Sequence, residues 1–448
     1  MLCGPCDAGM LEEMLQEVPG LRLTMLRDSP DGVPVGAAWA DKKGLEDHFD
    51  LTLTADQEAF HERVMRSVMS DSRSFFLLER IVTDTPYGTA FNGITRVDQY
   101  IRRAIQLLDA HDPQRVVFAS TPHDILWFFA RTAEARGSEI LVLKPGPIPG
   151  GVFVAHGLDA QTILETGAGD AELAPEQARN FIATRQRNYA EAEPDYERRA
   201  RESYGEGFFS LGAELRKALT SGSVREAVQK IMLIHLKYKA LRLYESLAAT
   251  RLDPAQQGRA VVFFMHYQPE RSTLPEGGEY AQQLRVAHTL AAALPDGWEL
   301  LIKEHPSFYR RTFKPRVRDG NFYRALAQLP RTRLVDLGMD TFSLIDHAAA
   351  VVTLTGTVGI EAISRGKPAI IFGCACYQNA PGVTRVASLA ETRTTLVQIA
   401  HSGGPKASEV ETWLTWAATH AALERSSETI VRRKAIVASV LAPFIRQP

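Results

Sequence analysis

Two apolar runs break abruptly into polar loops and set the architecture of this chain: Leu300-Leu-Ile-Lys-Glu-His305-Pro306 and Val351-Val-Thr-Leu-Thr355-Gly356-Thr357-Val-Gly359-Ile-Glu361. Each reads as a buried strand entering a loop, and the second loop opens a helix whose first turn offers free backbone N–H groups to an anion. In that geometry Thr355 and Thr357 supply hydroxyls and Gly356 lets backbone approach a ligand. Glu361, one helical turn on, is placed to accept hydrogen bonds from a ribose diol. The pair predicts a nucleotide-sugar site.

At 448 residues, 45% hydrophobic and 23% charged, the chain can bury a large core and is expected to form about two or three domains. A net charge of −2 supplies no field to draw in nucleic acid. No apolar run reaches the roughly 18 residues of a membrane helix, and the N-terminus lacks the basic and apolar regions of a secretory signal. The expected compartment is therefore the cytoplasm.

The four cysteines fall as Cys3-Gly-Pro-Cys6 and Cys374-Ala-Cys376. The first spacing copies a redox dithiol, but that motif needs a strand ahead of it and a helix starting at the first thiol, and here it stands at the terminus. Zinc binding would have to pair elements far apart in sequence with no spacing signature. Reduced structural thiols are the expectation.

Strands and helices alternate along most of the chain. Strands are expected at Ser74–Glu79, Arg115–Ser120 and Glu139–Leu143, with helices at Arg96–Asp109 and Ile125–Arg136. Charged helical segments follow from about Pro175 to Leu252. A second α/β half carries strands at Arg259–Met265, Glu299–Lys303, Arg333–Asp336, Ala350–Leu354 and Ala369–Phe372, and the stretch from Glu409 to Leu441 reads as helix. The expected class is α/β of the GT-B type: two Rossmann-like domains facing a cleft, with a helical insert. The boundaries are 1–173 for an acceptor-side domain, 174–256 for the insert, 257–405 for the nucleotide-sugar domain, and 406–448 for helices that cross back to the first.

Ligands in such sheets collect beyond the carboxyl ends of the strands. His266-Tyr-Gln268-Pro269-Glu270 follows one strand and Lys303-Glu-His305-Pro306 the next, each with a proline that fixes the turn. An imidazole and an ammonium there can neutralise a phosphate leaving group as charge develops on it.

Tyr267-Gln268-Pro269-Glu270, Lys303-Glu-His305-Pro306 and Thr355-Gly-Thr-Val-Gly-Ile-Glu361-Ala resemble the QP, HP and C-terminal motifs of bacterial capsule and surface-polysaccharide biosynthesis proteins, including the retaining β-Kdo transferases. Ser120-Thr-Pro-His123-Asp124 and Pro145-Gly-Pro-Ile-Pro-Gly150 resemble loops of the same superfamily. The HP motif is shared with sialyltransferases and teichoic-acid polymerases. The resemblance implies transfer of a Kdo-like or other nonulosonic acid from a CMP-sugar to a glycan or glycolipid acceptor. It implies that His305 and Pro306 contact CMP, Thr355 and Thr357 the phosphate and Glu361 the ribose, with Gln268 and Glu270 lining the donor side. One phosphate can be held without a divalent ion, so neither metal nor other cofactor is expected.

A retaining transferase can use a carboxylate nucleophile supplied by the first half. Asp124, beside His123, is the leading candidate, although Asp at that place also caps the helix beginning at Ile125. Glu79 is the other candidate, with an ion pair to Arg80 as its plainer role. Thr355 and Thr357 can equally be helix caps, and Glu361 can pair with Arg365. The basic run Arg310, Arg311, Lys314, Arg316 and Arg318 reads as a solvated face, or as a contact for an anionic acceptor or the inner leaflet. A UDP-sugar transferase or epimerase, a CDP-polyol phosphotransferase and a non-catalytic scaffold of an export complex remain as alternatives.

Overall fold

The computed structural model describes residues 1–3, 22–27, 37–41, 51–74, 77, 90–123, 125–148, 151–159, 162–167, 169–187, 189, 198, 224–268, 272–310 and 318–423. These divide into two compact units. The first draws on Met1–Ala178, Leu274–Ala281 and the chain from Glu411; the second on Arg179–Thr273 and Gln282–Val410.

The sheet of the first unit contains β1 (Leu2–Cys3), β2 (Thr24–Arg27), β3 (Ala38–Asp41), β4 (Arg115–Phe118), β5 (Glu139–Pro145), β6 (Gly151–His156) and β7 (Thr162–Ile163). Strands β3-β2-β1-β4-β5 lie side by side and parallel, in the order of the first five strands of a Rossmann sheet. β6 and β7 then add antiparallel. Its core gathers under helices α1 (Ala55–Ser70), α2 (Ala90–His111) and α3 (Ile125–Arg136), where Trp127, Phe128 and Phe129 are fully enclosed. α3 has the limits read from its sequence, because an apolar run there stops at a charged Arg136 and Gly137, whose φ of 99° ends a helix at little cost. Helix α4 (Ala174–Arg187) begins in the first unit and ends in the second.

The second unit contains α5 (Val224–Leu247) and seven parallel strands: β8 (Ala248–Ala249), β9 (Ala260–Phe264), β10 (Glu299–Lys303), β11 (Thr332–Val335), β12 (Ala348–Thr353), β13 (Ala369–Ile371) and β14 (Val383–Arg385). Their order, β8-β11-β10-β9-β12-β13-β14, is that of a Rossmann sheet with one added edge strand. The connections carry α6 (Gln283–Ala293), α7 (Pro306–Arg310), α8 (Gly320–Ala327), α9 (Thr341–His347), α10 (Val358–Ser364) and α11 (Leu389–Ser402). β9, β10 and β12 are apolar almost throughout because helices cover both faces of a parallel sheet. From Glu411, α12 (Ala407–His420) belongs with the first unit, where Trp416 lies 6.1 Å from Phe153 and β15 (Ala422–Leu423) pairs antiparallel with β6.

The α/β class built from two Rossmann-like units is as the sequence predicts; four details differ. The helix expected from Glu409 to Leu441 ends at His420 and Ala422–Leu423 form β15 instead, while residues 424–441 lie outside the described residues. No strand starts at Ser74: Ser72–Ser74 form a helical turn, in which Asp71 accepts hydrogen bonds from the Ser74 amide at 3.1 Å and hydroxyl at 2.7 Å, as a helix-starting aspartate does. The rest of that stretch, except Leu77, lies outside the described residues. Cys3 ends a strand, so the strand expected to be missing beside the Cys3–Cys6 spacing is β1 itself, while Gly4–Cys6 lie outside the described residues. Arg318 is enclosed rather than solvated.

Candidate functional site

The reversal of strand order in the second unit falls between β9 and β12, where a doubly wound sheet leaves a crevice at its carboxyl edge. The loops after β9, β10 and β12 meet there. His266 leaves β9 only 6% exposed, and its Nε2 lies 2.9 Å from Thr353 Oγ1 on β12. The Thr355 amide donates to the same nitrogen at 3.3 Å. An amide can only donate, so Nε2 is the bare nitrogen and Nδ1, 3.5 Å from Ser272 Oγ, carries the proton. Gln283 clamps the same residue through its backbone, accepting from the His266 amide at 2.8 Å and donating to its carbonyl at 3.0 Å.

The Thr355–Glu361 loop is fixed from several sides. Thr355 Oγ1 donates to the Ser272 carbonyl at 2.9 Å, and the Gly356 amide donates to Thr353 Oγ1 at 3.3 Å. A Cβ on Gly356 would sit 2.8 Å from Thr353 Oγ1 and 3.2 Å from His266 Nε2, so only glycine lets this turn lie against the imidazole. Thr357 is exposed and its side chain does not cap α10. Glu361 is buried in α10. Its i+4 neighbour Arg365 turns instead to Asp346, with Nε 2.8 Å from Oδ1. Arg185, from the end of α4, is held below its ordinary arginine range by burial, and the negative charge of Glu361 works against that.

Lys303 ends β10 and is buried, and its ammonium donates to the Met339 carbonyl, with Thr341 Oγ1 at 3.4 Å. His305 is half-buried two residues on, its ring 5.2 Å from that of Tyr267. The Ser307 amide donates to His305 Nδ1 at 3.1 Å, which leaves Nε2 to carry the proton. Pro306 opens α7, where a missing N–H costs nothing. Gln268 Oε1 accepts from Gln283 Nε2 at 3.1 Å, and Glu270 lies outside the described residues.

Beneath this edge is a buried polar network that sequence inspection did not pick out. Glu304 is wholly enclosed; Oε1 accepts from the His305 amide at 2.6 Å and from Arg318 Nη1, and Oε2 accepts from the Tyr323 hydroxyl at 2.7 Å. The Glu304 amide donates to the Tyr244 hydroxyl at 3.1 Å, which donates to the Val335 carbonyl at 2.5 Å. Burial pushes both phenols far above the ordinary tyrosine range, so they remain hydrogen-bond donors. The available signal was position: Glu304 stands inside Lys-Glu-His-Pro directly after a strand.

In the first unit the order reverses between β1 and β4. Thr121, just past β4, donates to Glu276, whose Oε1 is also 3.3 Å from Lys144 Nζ on β5. All three are largely enclosed. His123 is half-buried in the same loop; Asp124 and Glu79 lie outside the described residues. The sequence pointed to the loop but not to Glu276, which comes from a distant segment.

These features define an α/β protein with a polar cradle at the switch point of its second sheet. Residues 236–409, which include the whole cradle, match the family model of capsule polysaccharide biosynthesis proteins. Among curated proteins, Protein FixF of Sinorhizobium fredii is 39% identical over 77 residues, which are 17% of this chain and 16% of that protein. Among solved structures, the β-Kdo 2,7 transferase KpsC of Thermosulfurimonas dismutans is 16% identical over 71% of this chain and 80% of its own, with a TM-score of 0.29. UDP-GlcNAc 2-epimerase of Methanocaldococcus jannaschii is 10% identical over the same shares, with a TM-score of 0.28.

Proposed function

We propose that the chain is a glycosyltransferase of surface-polysaccharide biosynthesis that transfers a Kdo-like or other nonulosonic acid from a CMP-sugar to a glycan or glycolipid acceptor, with retention. The observation that carries this reading is the convergence of His266, His305 and the Thr355–Thr357 loop at one switch-point edge, within the stretch matched by the capsule family model. His305, with its proton on Nε2, is suited to donate to a leaving phosphate. Gly356 admits the ligand to the loop, and Glu361 takes the ribose. In the first unit the loop holding Thr121 and His123 serves the acceptor side, with Asp124 or Glu79 as the carboxylate. The reaction needs no metal and runs on the cytoplasmic side, at the membrane's inner face.

Calorimetric titration with CMP, CDP, UDP and GDP, each with and without magnesium, tests the donor. Selective, metal-independent binding of CMP, weakened about tenfold or more in His305→Ala, is the expected result. Selective UDP binding would move the assignment to a UDP-sugar enzyme, and silence toward every nucleotide would leave a scaffold.

A further inference from the structure

We propose that Arg318 is a positioning residue for His305, holding the loops after β9 and β10 in register. This rests on the reading that His305 meets the nucleotide. The guanidinium is fully enclosed. Nη1 donates to Glu304 Oε1, and Nη2 donates to the His266 carbonyl, with Gln268 Oε1 at 3.4 Å. The rings of Phe308 and Phe322 cover it at 4.8 Å and 5.6 Å. One planar fork therefore ties the His266–Gln268 loop to the carboxylate that anchors the next loop.

That carboxylate links arginine to histidine. Glu304 Oε1 receives both Arg318 Nη1 and the His305 amide, while Tyr323 fixes Oε2, so the oxygen has one orientation. With its amide held there and its Nδ1 capped by the Ser307 amide, His305 has its ring plane and its Nε2–H direction set before any ligand arrives. A buried ion pair returns little stability beyond what its desolvation costs, so this one is better explained by the geometry it imposes. Lysine keeps the charge but has no fork, and cannot reach Glu304 and the His266 carbonyl along two fixed directions.

The test uses the full chain with ¹⁵N-labelled histidine, in wild type, Arg318→Lys, His305→Ala and the double variant. Wild-type His305 is expected to show a single Nε2–H tautomer at neutral pH. Arg318→Lys is expected to give a tautomer mixture at His305 while the His347 signals stay in place. CMP affinity should fall on the order of tenfold in Arg318→Lys, and the double variant should bind within about twofold of His305→Ala alone. An unchanged His305 spectrum, or losses that simply add, would overturn the proposal. If Arg318→Lys does not fold, Glu304→Gln, which keeps the shape and removes the charge, is read by the same criteria. Wild type that ignores CMP while Arg318→Lys still remixes the His305 tautomers would remove the nucleotide reading and leave the positioning role standing. Wild type that binds CMP while Arg318→Lys leaves the tautomer fixed would remove the positioning role alone.

Discussion

A methyl group added at Gly359 would lie 2.4 Å from the Tyr377 hydroxyl oxygen and 2.8 Å from its ring. The hydroxyl donates to the Gly356 carbonyl, so a missing side chain on α10 lets a phenol pin the loop one turn earlier. Burial raises the Tyr377 hydroxyl well above its ordinary range and keeps it a donor. Gly359→Ala is therefore expected to cost about 1–3 kcal/mol, the usual size of an overpacking defect, and to weaken nucleotide binding through the displaced Gly356. Because the clash is with one side chain, Tyr377→Ala in the same molecule should cost much less than the sum of the single changes. Thermal melts of the four proteins measure the coupling, and strict additivity would rule out this contact as the reason for glycine. His305, Gly356 and Glu361 were legible as site candidates because each lies in, or one helical turn beyond, a polar loop that an apolar run enters. Arg318 was not, since it stands in a run rich in basic residues and only the folded chain shows it enclosed by Phe308 and Phe322.

Two helices of the second unit begin with comparable caps but stand differently toward the cradle. Asp319 Oδ1 accepts from the Asn321 and Phe322 amides, each at 2.9 Å, at the start of α8. Ser388 Oγ accepts from the Glu391 amide at 3.2 Å at the start of α11. Either cap replaced by alanine should cost about 1 kcal/mol. α8, however, carries Tyr323 and follows Arg318 directly, so fraying its first turn loosens both groups that hold Glu304. Asp319→Ala is expected to lower nucleotide affinity as well as stability, whereas Ser388→Ala should lower stability alone. Equal affinities in calorimetry would show that α8 does not transmit its order to His305. Element limits were legible where an apolar run meets polar residues at both ends, as at Glu299–Lys303. β1 is too short to carry a periodic signal, and the pairing that brings His266 to Thr353 spans 87 positions, which no local pattern encodes. The same distance problem hid Glu276, whose partners Thr121 and Lys144 belong to another part of the chain.

Each unit buries a histidine in its neutral form, which gives the whole molecule a common response to acid. In the first unit His61 is held below its ordinary value of 6.5, chiefly by burial and further by Arg102, against the opposing pull of Asp98 and Glu58. In the second, His347 is lowered chiefly by burial, and Arg333 and Lys367 add to this while Glu299 and Asp253 oppose it. A histidine with a depressed folded value takes up its proton in the unfolded chain first. The stability it contributes is therefore complete above 6.5 and is lost as pH falls from there toward the folded value. Each can contribute a slope of at most about 1.4 kcal/mol per pH unit. Urea unfolding between neutral pH and the mildly acidic range should show falling stability. Segment-resolved hydrogen exchange should show His61→Gln flattening the response in the first unit only and His347→Gln in the second only. A pH response that either substitution leaves at full strength in its own unit would mean that this histidine is not what acid acts on there.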